Sequence, residues 1–192
     1  RALFEDLMYQ NVVQAGGLTS QQTSAPTGLN IGTGVRVVAT DRQHSQGNIV
    51  TTSNPFDVAV QGRGFFEILL PDGTQSYTRD GTFQLNAEGQ LVTSSGYTVQ
   101  PAVTIPPSAQ AVTIGMDGTV SAVLAGQTTP IQVGTLQLTD FVNPAGLQSR
   151  GQNLYTETVA SGPPQPGTPG LNGLGNIGQG SLETSNVSVV EE

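Results

Sequence analysis

The chain has 192 residues and a mass of 19.8 kDa, with 14 carboxylates against six basic residues, all of them Arg, for a formal net charge of −8. That balance argues against nucleic acid or an anionic membrane surface as a partner, since both are met with Lys and Arg. Cys is absent and His44 is the one histidine, which removes disulfides, thiolate chemistry and His-based zinc sites.

Charged residues make up 10% of the chain, far below the roughly 25% of an ordinary soluble domain. Gly (25) and Pro (12) are abundant, so the polar surface must come from Thr, Ser, Gln and Asn. That composition suits a turn-rich, mainly β protein. No apolar run approaches the roughly 18 residues of a membrane helix.

In chain order, Leu3, Phe4, Leu7 and Met8 fall at helical spacing and predict a short helical stub over 1–8. No N-cap precedes it, so the helix is expected to begin before the numbering does. Residues 9–30 form a polar arm without period and almost without charge. It is far longer than the usual connection of about 4–6 residues, which suggests a segment that is either disordered or docked on a partner. From Ile31 a β-rich core is expected to extend to residue 185. Val35, Val37 and Ala39 alternate with other residues as one strand, and Phe56, Val58 and Val60 as another, with the Asn54-Pro55 turn before it.

Between Gly64 and Pro101 turn signals recur: Asp72-Gly73, Asp80-Gly81, Glu88-Gly89 and Ser95-Gly96. The runs between them (65–70, 75–79, 82–85, 90–93 and 97–100) read as a β-meander, because Gly accepts positive φ and Asp tolerates it. Further strands are expected at 112–114, 119–124 and 131–139, with Asp117-Gly118 as a turn. Residues 161–180 are rich in Pro and Gly and read as irregular chain, pinned by Leu171, Leu174 and Ile177. Ser188 and Glu191 are spaced as a capping box, so a second helix is expected to start within 186–192. Both ends thus read as cut from longer helices. The fold expected is mainly β, a single barrel-like or sandwich-like domain with long irregular connections.

Chemistry finds little support. Gly173 to Gly178 matches G-x-G-x-x-G, but a Pro-rich loop precedes it where a dinucleotide site needs a strand. His44, with Asp41 and Ser45 nearby, lacks a nucleophile elbow and reads as a surface residue. Asp72, Asp80, Glu88 and Asp117 each precede Gly, so turn formation explains them without catalysis or calcium. Phe65, Phe66, Tyr77, Phe83, Tyr97, Phe141 and Tyr155 read as core anchors.

Several segments together resemble one family. They are Arg1 to Gln10, Gly28 to Val35, His44-Ser-Gln-Gly-Asn48, Val60-Gln-Gly-Arg-Gly-Phe-Phe66, Tyr77-Thr-Arg-Asp-Gly-Thr-Phe83, Gly89 to Thr93, Asn153 to Thr158, and Gly178-Gln-Gly-Ser-Leu-Glu-Thr-Ser-Asn-Val187. As an ordered set spanning the chain they are similar to the bacterial flagellar rod and hook axial proteins, and within them to the distal-rod branch. The resemblance implies a structural subunit and not an enzyme, with no cofactor, metal or small-molecule substrate. It implies export without a cleaved signal and a place in the basal body. The implied partners are copies of itself in a helical tube, proximal rod and hook-side axial proteins, and surrounding ring proteins, with no nucleic acid. The fragment alone would be monomeric. The polar arm matches the insert of the distal rod, which makes Tyr9, Gln10, Asn11, Val12, Val13, Gln14, Leu18, Gln21, Gln22, Pro26, Leu29 and Asn30 the candidate subunit-interface residues. The alternatives are a proximal rod or hook subunit, and a surface adhesin or carbohydrate-binding β module.

Overall fold

The computed structural model describes residues 43–187 in full and, over residues 1–42, the backbone of six strands. The chain divides into two units, Arg1–Gln43 and His44–Glu192.

The first unit is a set of nested antiparallel pairs. Ala2–Asp6 pairs with Val35–Thr40, Tyr9–Val13 with Leu29–Gly32, and Leu18–Ser20 with Thr23–Ser24. Each pair carries a register shift, at Leu3/Phe4, Asn11/Val13 and Leu18/Ser20 respectively. The helix expected over 1–8 is therefore replaced at Ala2–Asp6 by a strand. Pairing with Val35–Thr40 satisfies backbone groups that a helix would have satisfied internally. Within 9–30 the described stretches Tyr9–Val13, Leu18–Ser20 and Thr23–Ser24 and the first residues of Leu29–Gly32 take strand backbone. The helix start expected over 186–192 falls largely outside the described residues.

The second unit is built on a seven-stranded antiparallel sheet. Its order is Phe83–Leu85, Leu91–Thr93, Thr98–Gln100, Phe66–Leu69, Gln75–Thr78, Leu154–Thr156 and Gln148–Gly151. The meander read from the Asp-Gly turns is present, with its strands within about two residues of the expected runs. A three-stranded sheet follows, Ala109–Ile114, Thr119–Leu124 and Ile131–Thr135. Three further pairs join distant parts of the chain: Leu138–Asp140 with Gln165–Gly167, Val58–Gln61 with Asn176–Gln179, and Ile49–Thr51 with Ser181–Glu183. Among the described residues no sheet closes into a barrel.

Two expectations need correction here. The strand expected over 131–139 is two strands in different sheets, Ile131–Thr135 and Leu138–Asp140. The Pro/Gly stretch 161–180 is not wholly irregular, because Gln165–Gly167 and Asn176–Gln179 are strands. Both lie in two-stranded pairs, and there Pro166 opposite Thr139 can do without an N–H on its outer side.

The core follows from the alternation. Val58, Val60, Phe66, Ile68, Phe83, Leu91, Val99, Val120, Leu138 and Ile177 bury into one cluster. Phe66 and Phe83 meet edge to face at 5.1 Å. A second cluster holds Phe65, Tyr77, Phe141 and Leu147, with Tyr155 packed on it. Adjacent residues Phe65 and Phe66 thus serve opposite faces of one strand, as a period of two requires. His44, read as a surface residue, is half-buried and edge-on to Phe65 (5.7 Å) and Tyr155 (5.5 Å).

Three turns share one device. In Asp72-Gly-Thr74, Asp80-Gly-Thr82 and Asp117-Gly-Thr119 the carboxylate accepts both the backbone N–H and the hydroxyl of the Thr two residues on. Those bonds hold the Asp72 and Asp117 carboxyls below their ordinary range, the Thr hydroxyl being the largest cause in each.

The glycines of two of these turns differ in their surroundings. A Cβ on Gly73 would meet nothing, although its φ of +79° disfavours any side chain. A Cβ on Gly81 would run into the carbonyl of Val58. Gly73→Ala is therefore expected to cost about 1–2 kcal/mol, the conformational penalty alone. Gly81→Ala should cost about 4 kcal/mol or more, because backbone must move. Urea unfolding of the two variants checks this, and equal losses would contradict it.

Candidate functional site at the chain junction

The segments quoted as motifs lie far apart in sequence. The fold gathers four of the eight, 44–48, 60–66, 77–83 and 178–187, at one place, where the chain enters and leaves the β body. Ile49–Thr51 and Val58–Gln61 carry it in, and Asn176–Gln179 and Ser181–Glu183 carry it out beside them in antiparallel register.

Arg79 is the hub. It follows the strand Gln75–Thr78, and its guanidinium reaches four acceptors. Nε donates to Glu183 Oε2 at 2.9 Å, Nη1 to the carbonyls of Gly62 (2.9 Å) and Gly64 (3.1 Å), and Nη2 to the carbonyl of Val60 (3.2 Å). Gly62 and Gly64 both have φ in the left-handed region (+117° and +128°), which bends the 60–64 backbone so that its carbonyls converge on one cation. The Arg79 and Glu183 side chains are only 18% and 10% exposed. At such a site the fork of five donors on Arg is what lets one side chain satisfy several oxygens.

Glu183 completes the connection. Its Oε1 accepts the Gly47 N–H at 2.8 Å, so a single carboxylate joins the incoming chain, the outgoing chain and the central sheet. Gln46 adds a parallel link, donating to the Val60 carbonyl (2.9 Å) and accepting from the Gly62 N–H (3.1 Å). Asn186 Nδ2 donates to both the carbonyl and the hydroxyl of Ser45, each at 2.9 Å. Gly47 has no room for a side chain, because a Cβ there would strike the Thr184 carbonyl.

Two further side chains fix the strands behind this hub. Asp57, 6% exposed, accepts from Thr52 Oγ1 (2.7 Å) and Asn54 Nδ2 (2.8 Å), and its carbonyl accepts the Gly180 N–H (2.7 Å). Gln179 accepts the Ile114 N–H and donates to the carbonyls of Pro55 and Val112, which ties the outgoing strand to the three-stranded sheet.

The arrangement ties the incoming chain, the outgoing chain and the central sheet together through hydrogen bonds and one ion pair. Three of the four carboxylates considered for chemistry, Asp72, Asp80 and Asp117, bond the Thr of their own turns, Asp80 also accepting from Asn153 Nδ2 at 3.3 Å. Among the described residues no three His, Cys, Asp or Glu side chains come together to hold a metal. Gly173 to Gly178 runs from a turn at Asn172-Gly173 into the strand Asn176–Gln179, with no helix N-terminus for a phosphate.

The candidate arm residues stand elsewhere. Tyr9, Gln10, Asn11, Val12 and Val13 lie on one strand of the first unit, Leu18 on a second, and Leu29 and Asn30 on a third. Gln14, Gln21, Gln22 and Pro26 fall outside the described residues. Sequence reasoning missed Arg79, Glu183, Gln46, Asp57 and Gln179. Four of these five sit within or beside the quoted motifs, but nothing in a linear pattern tells that residues 79 and 183 meet.

Comparison with known proteins gives this geometry a context. Residues 59–122 match the family model described as the flagellar hook protein FlgE/F/G D1 domain. Over its whole length the chain is 56% identical to the flagellar basal-body rod protein FlgG of Buchnera aphidicola subsp. Schizaphis graminum, covering 74% of that relative. It is 44% identical to the proteins of the same name from Borreliella burgdorferi and Caulobacter vibrioides, again over all of this chain and 73% and 74% of theirs.

Two outcomes are expected from the junction and the cluster beside it. Arg79→Ala leaves the Gly62 and Gly64 carbonyls without this donor and strips the nearly buried Glu183 carboxylate of its cation, and should cost about 3–5 kcal/mol in urea unfolding. Glu183→Gln keeps the shape and should cost less than half as much. Tyr77, buried beside Glu67 and Glu157, has its phenol pushed up to about 12, by burial first and the two carboxylates second. A raised acid binds its proton more tightly in the folded chain, so stability is expected to fall as pH rises from 10 toward 12. Tyr77→Phe should flatten that alkaline slope, and an unchanged slope would place its origin elsewhere.

Proposed function

The chain belongs to the FlgG family of flagellar basal-body rod proteins, and from that premise we propose how its parts serve the rod. It is a structural subunit of the distal rod in the flagellar basal body, where it assembles with other flagellar components. The family is one of structural rod proteins.

In the reading we favour, the subunit stacks with copies of itself into a rigid tube that carries torque to the hook and encloses the export channel. The tube meets proximal rod proteins at one end and hook-side axial proteins at the other, and turns within surrounding ring proteins. The observation that supports a load-bearing role is the Arg79–Glu183 junction. It binds the incoming chain at Gly47, the outgoing chain at Glu183 and the central sheet at Arg79 into one network. Torque entering through either flanking segment then spreads into the β body rather than peeling a single strand.

The arm, with Tyr9 to Val13, Leu18, Leu29 and Asn30, supplies contacts between neighbouring subunits. Its composition fits that use. No charged residue lies between Leu7 and Val35, so little desolvation cost opposes burying it.

Deleting the gene and imaging purified basal bodies by electron microscopy tests the reading as a whole. The expected result is a short proximal rod without hook; normal basal bodies and motility would refute it. Excising residues 9–30 tests the arm, and is expected to yield rods that lose straightness or fail to extend while the β body still folds. Straight rods of normal length would remove the arm from the interface.

A further inference from the structure

A groove of about 640 Å³ opens in the β body apart from the Arg79–Glu183 hub. One wall holds Phe56, Leu85 and the turn at Glu88, and the other holds Pro106, Pro107 and the strand Ala109–Ile114. Glu88 is the single charged residue in its lining.

The second wall is a sheet edge. Ala109–Ile114 pairs with Thr119–Leu124 on one side alone, and is the terminal strand of its sheet. On the outer side, Gln179 stands in for a neighbouring strand at two residues, accepting the Ile114 N–H and donating to the Val112 carbonyl. Gln110 lies earlier on the same strand, at the register shift between Ala109 and Ala111, beyond those two bonds and within the groove. Exposed edges of this kind accept an added strand.

We propose that this groove receives residues 7–35 of a second copy of the chain, laid along the edge at Gln110 as an added strand. The proposal rests on the reading of the arm as a subunit contact and names the surface it contacts. Charge selects the occupant. Residues 1–43 hold three Arg and three carboxylates, so the whole net charge of −8 belongs to residues 44–192. All three Arg of that second unit are engaged in ion pairs, Arg63 with Asp140, Arg79 with Glu183 and Arg150 with Asp72. A second body approaching this face would set carboxylate against carboxylate. The segment 7–35 brings no charge at all. Its backbone is also of the required kind. Tyr9–Val13 and Leu29–Gly32 form a two-stranded pair, and among the described residues neither pairs with a further strand on its outer side, the side that would match the edge of the groove.

The chain has no Cys, so introduced thiols report without background. Full-length protein carrying Gln110→Cys together with one Cys scanned through positions 9–13 and 29–32 is expressed in cells lacking the native gene. Purified basal bodies are then treated with copper phenanthroline as oxidant. Ladders of cross-linked copies are expected for at least one scanned position. None is expected when Gly73→Cys, on an exposed turn, replaces Gln110→Cys. Ala111→Glu, at an exposed position of the same wall, should leave the unfolding curve of the isolated protein unchanged and lower rod assembly by about tenfold or more. Basal bodies that contain the protein but yield no ladder overturn the groove and leave the rod reading standing. Cross-links from Gln110→Cys to a residue of another copy's second unit overturn the occupant. Absence of the protein from basal bodies removes the rod reading, and the groove with it.

Discussion

One guanidinium holds this molecule's two chain segments to its sheet. Arg79 could satisfy a single carboxylate in many proteins, but here it also takes three backbone carbonyls from the Val60–Gly64 bend. The Gly62 and Gly64 carbonyls lie outside any strand, where two left-handed glycines bend the backbone, and Arg79 supplies their donor, while it shares the Val60 carbonyl with Gln46. A buried C=O without a donor costs about 1–3 kcal/mol, so Arg79 stabilises the bend chiefly at buried Gly64. The bend in turn delivers Gly64 and Phe65 to the turn of the sheet, from which both aromatic clusters are built. Removing the cation would therefore undo a sequence of dependencies that reaches from the junction into the core.

The meander was plain in the sequence because its information is local. Asp72-Gly73 and Asp117-Gly118 mark where φ is positive, and each Asp, Asp80 included, bonds a Thr two residues away, so a short window holds the reason for the turn. The alternation of Val58 and Val60 similarly contains its own account of which face is buried. The junction was illegible for the opposite reason. Gly47 and Glu183 meet across almost the whole chain, and no periodicity or spacing encodes that meeting. His44 looked like a surface residue because its aromatic neighbours, Phe65 and Tyr155, are equally remote.

Where local propensity and pairing disagreed, pairing prevailed. Leu3 and Phe4 have helical spacing with Leu7 and Met8, yet Ala2–Asp6 is a strand because Val35–Thr40 lies alongside it. Pro166 and Gly178 discourage strands, yet both sit in one, each in a two-stranded pair whose second side makes no demand on them. The scarcity of charge fits the same logic. A chain meant to be packed on its neighbours keeps Ser, Thr, Gln and Asn where an isolated protein would keep Lys and Glu, and confines its excess acid to one unit.

The order in which the strands pair has a consequence for how the chain is made. Val58–Gln61 leaves the ribosome well before its partner Asn176–Gln179, with most of the β body between them in sequence. Until Ile177 emerges, Val58, Ala59 and Val60 have no strand to close over them, although all three are fully buried in the finished molecule. Closure of the body must therefore wait for residues 176–179, as it does in topologies dominated by distant contacts. A chain that cannot lock early stays extensible for longer, and its shape is set only when the two sides of this one strand pair are both present.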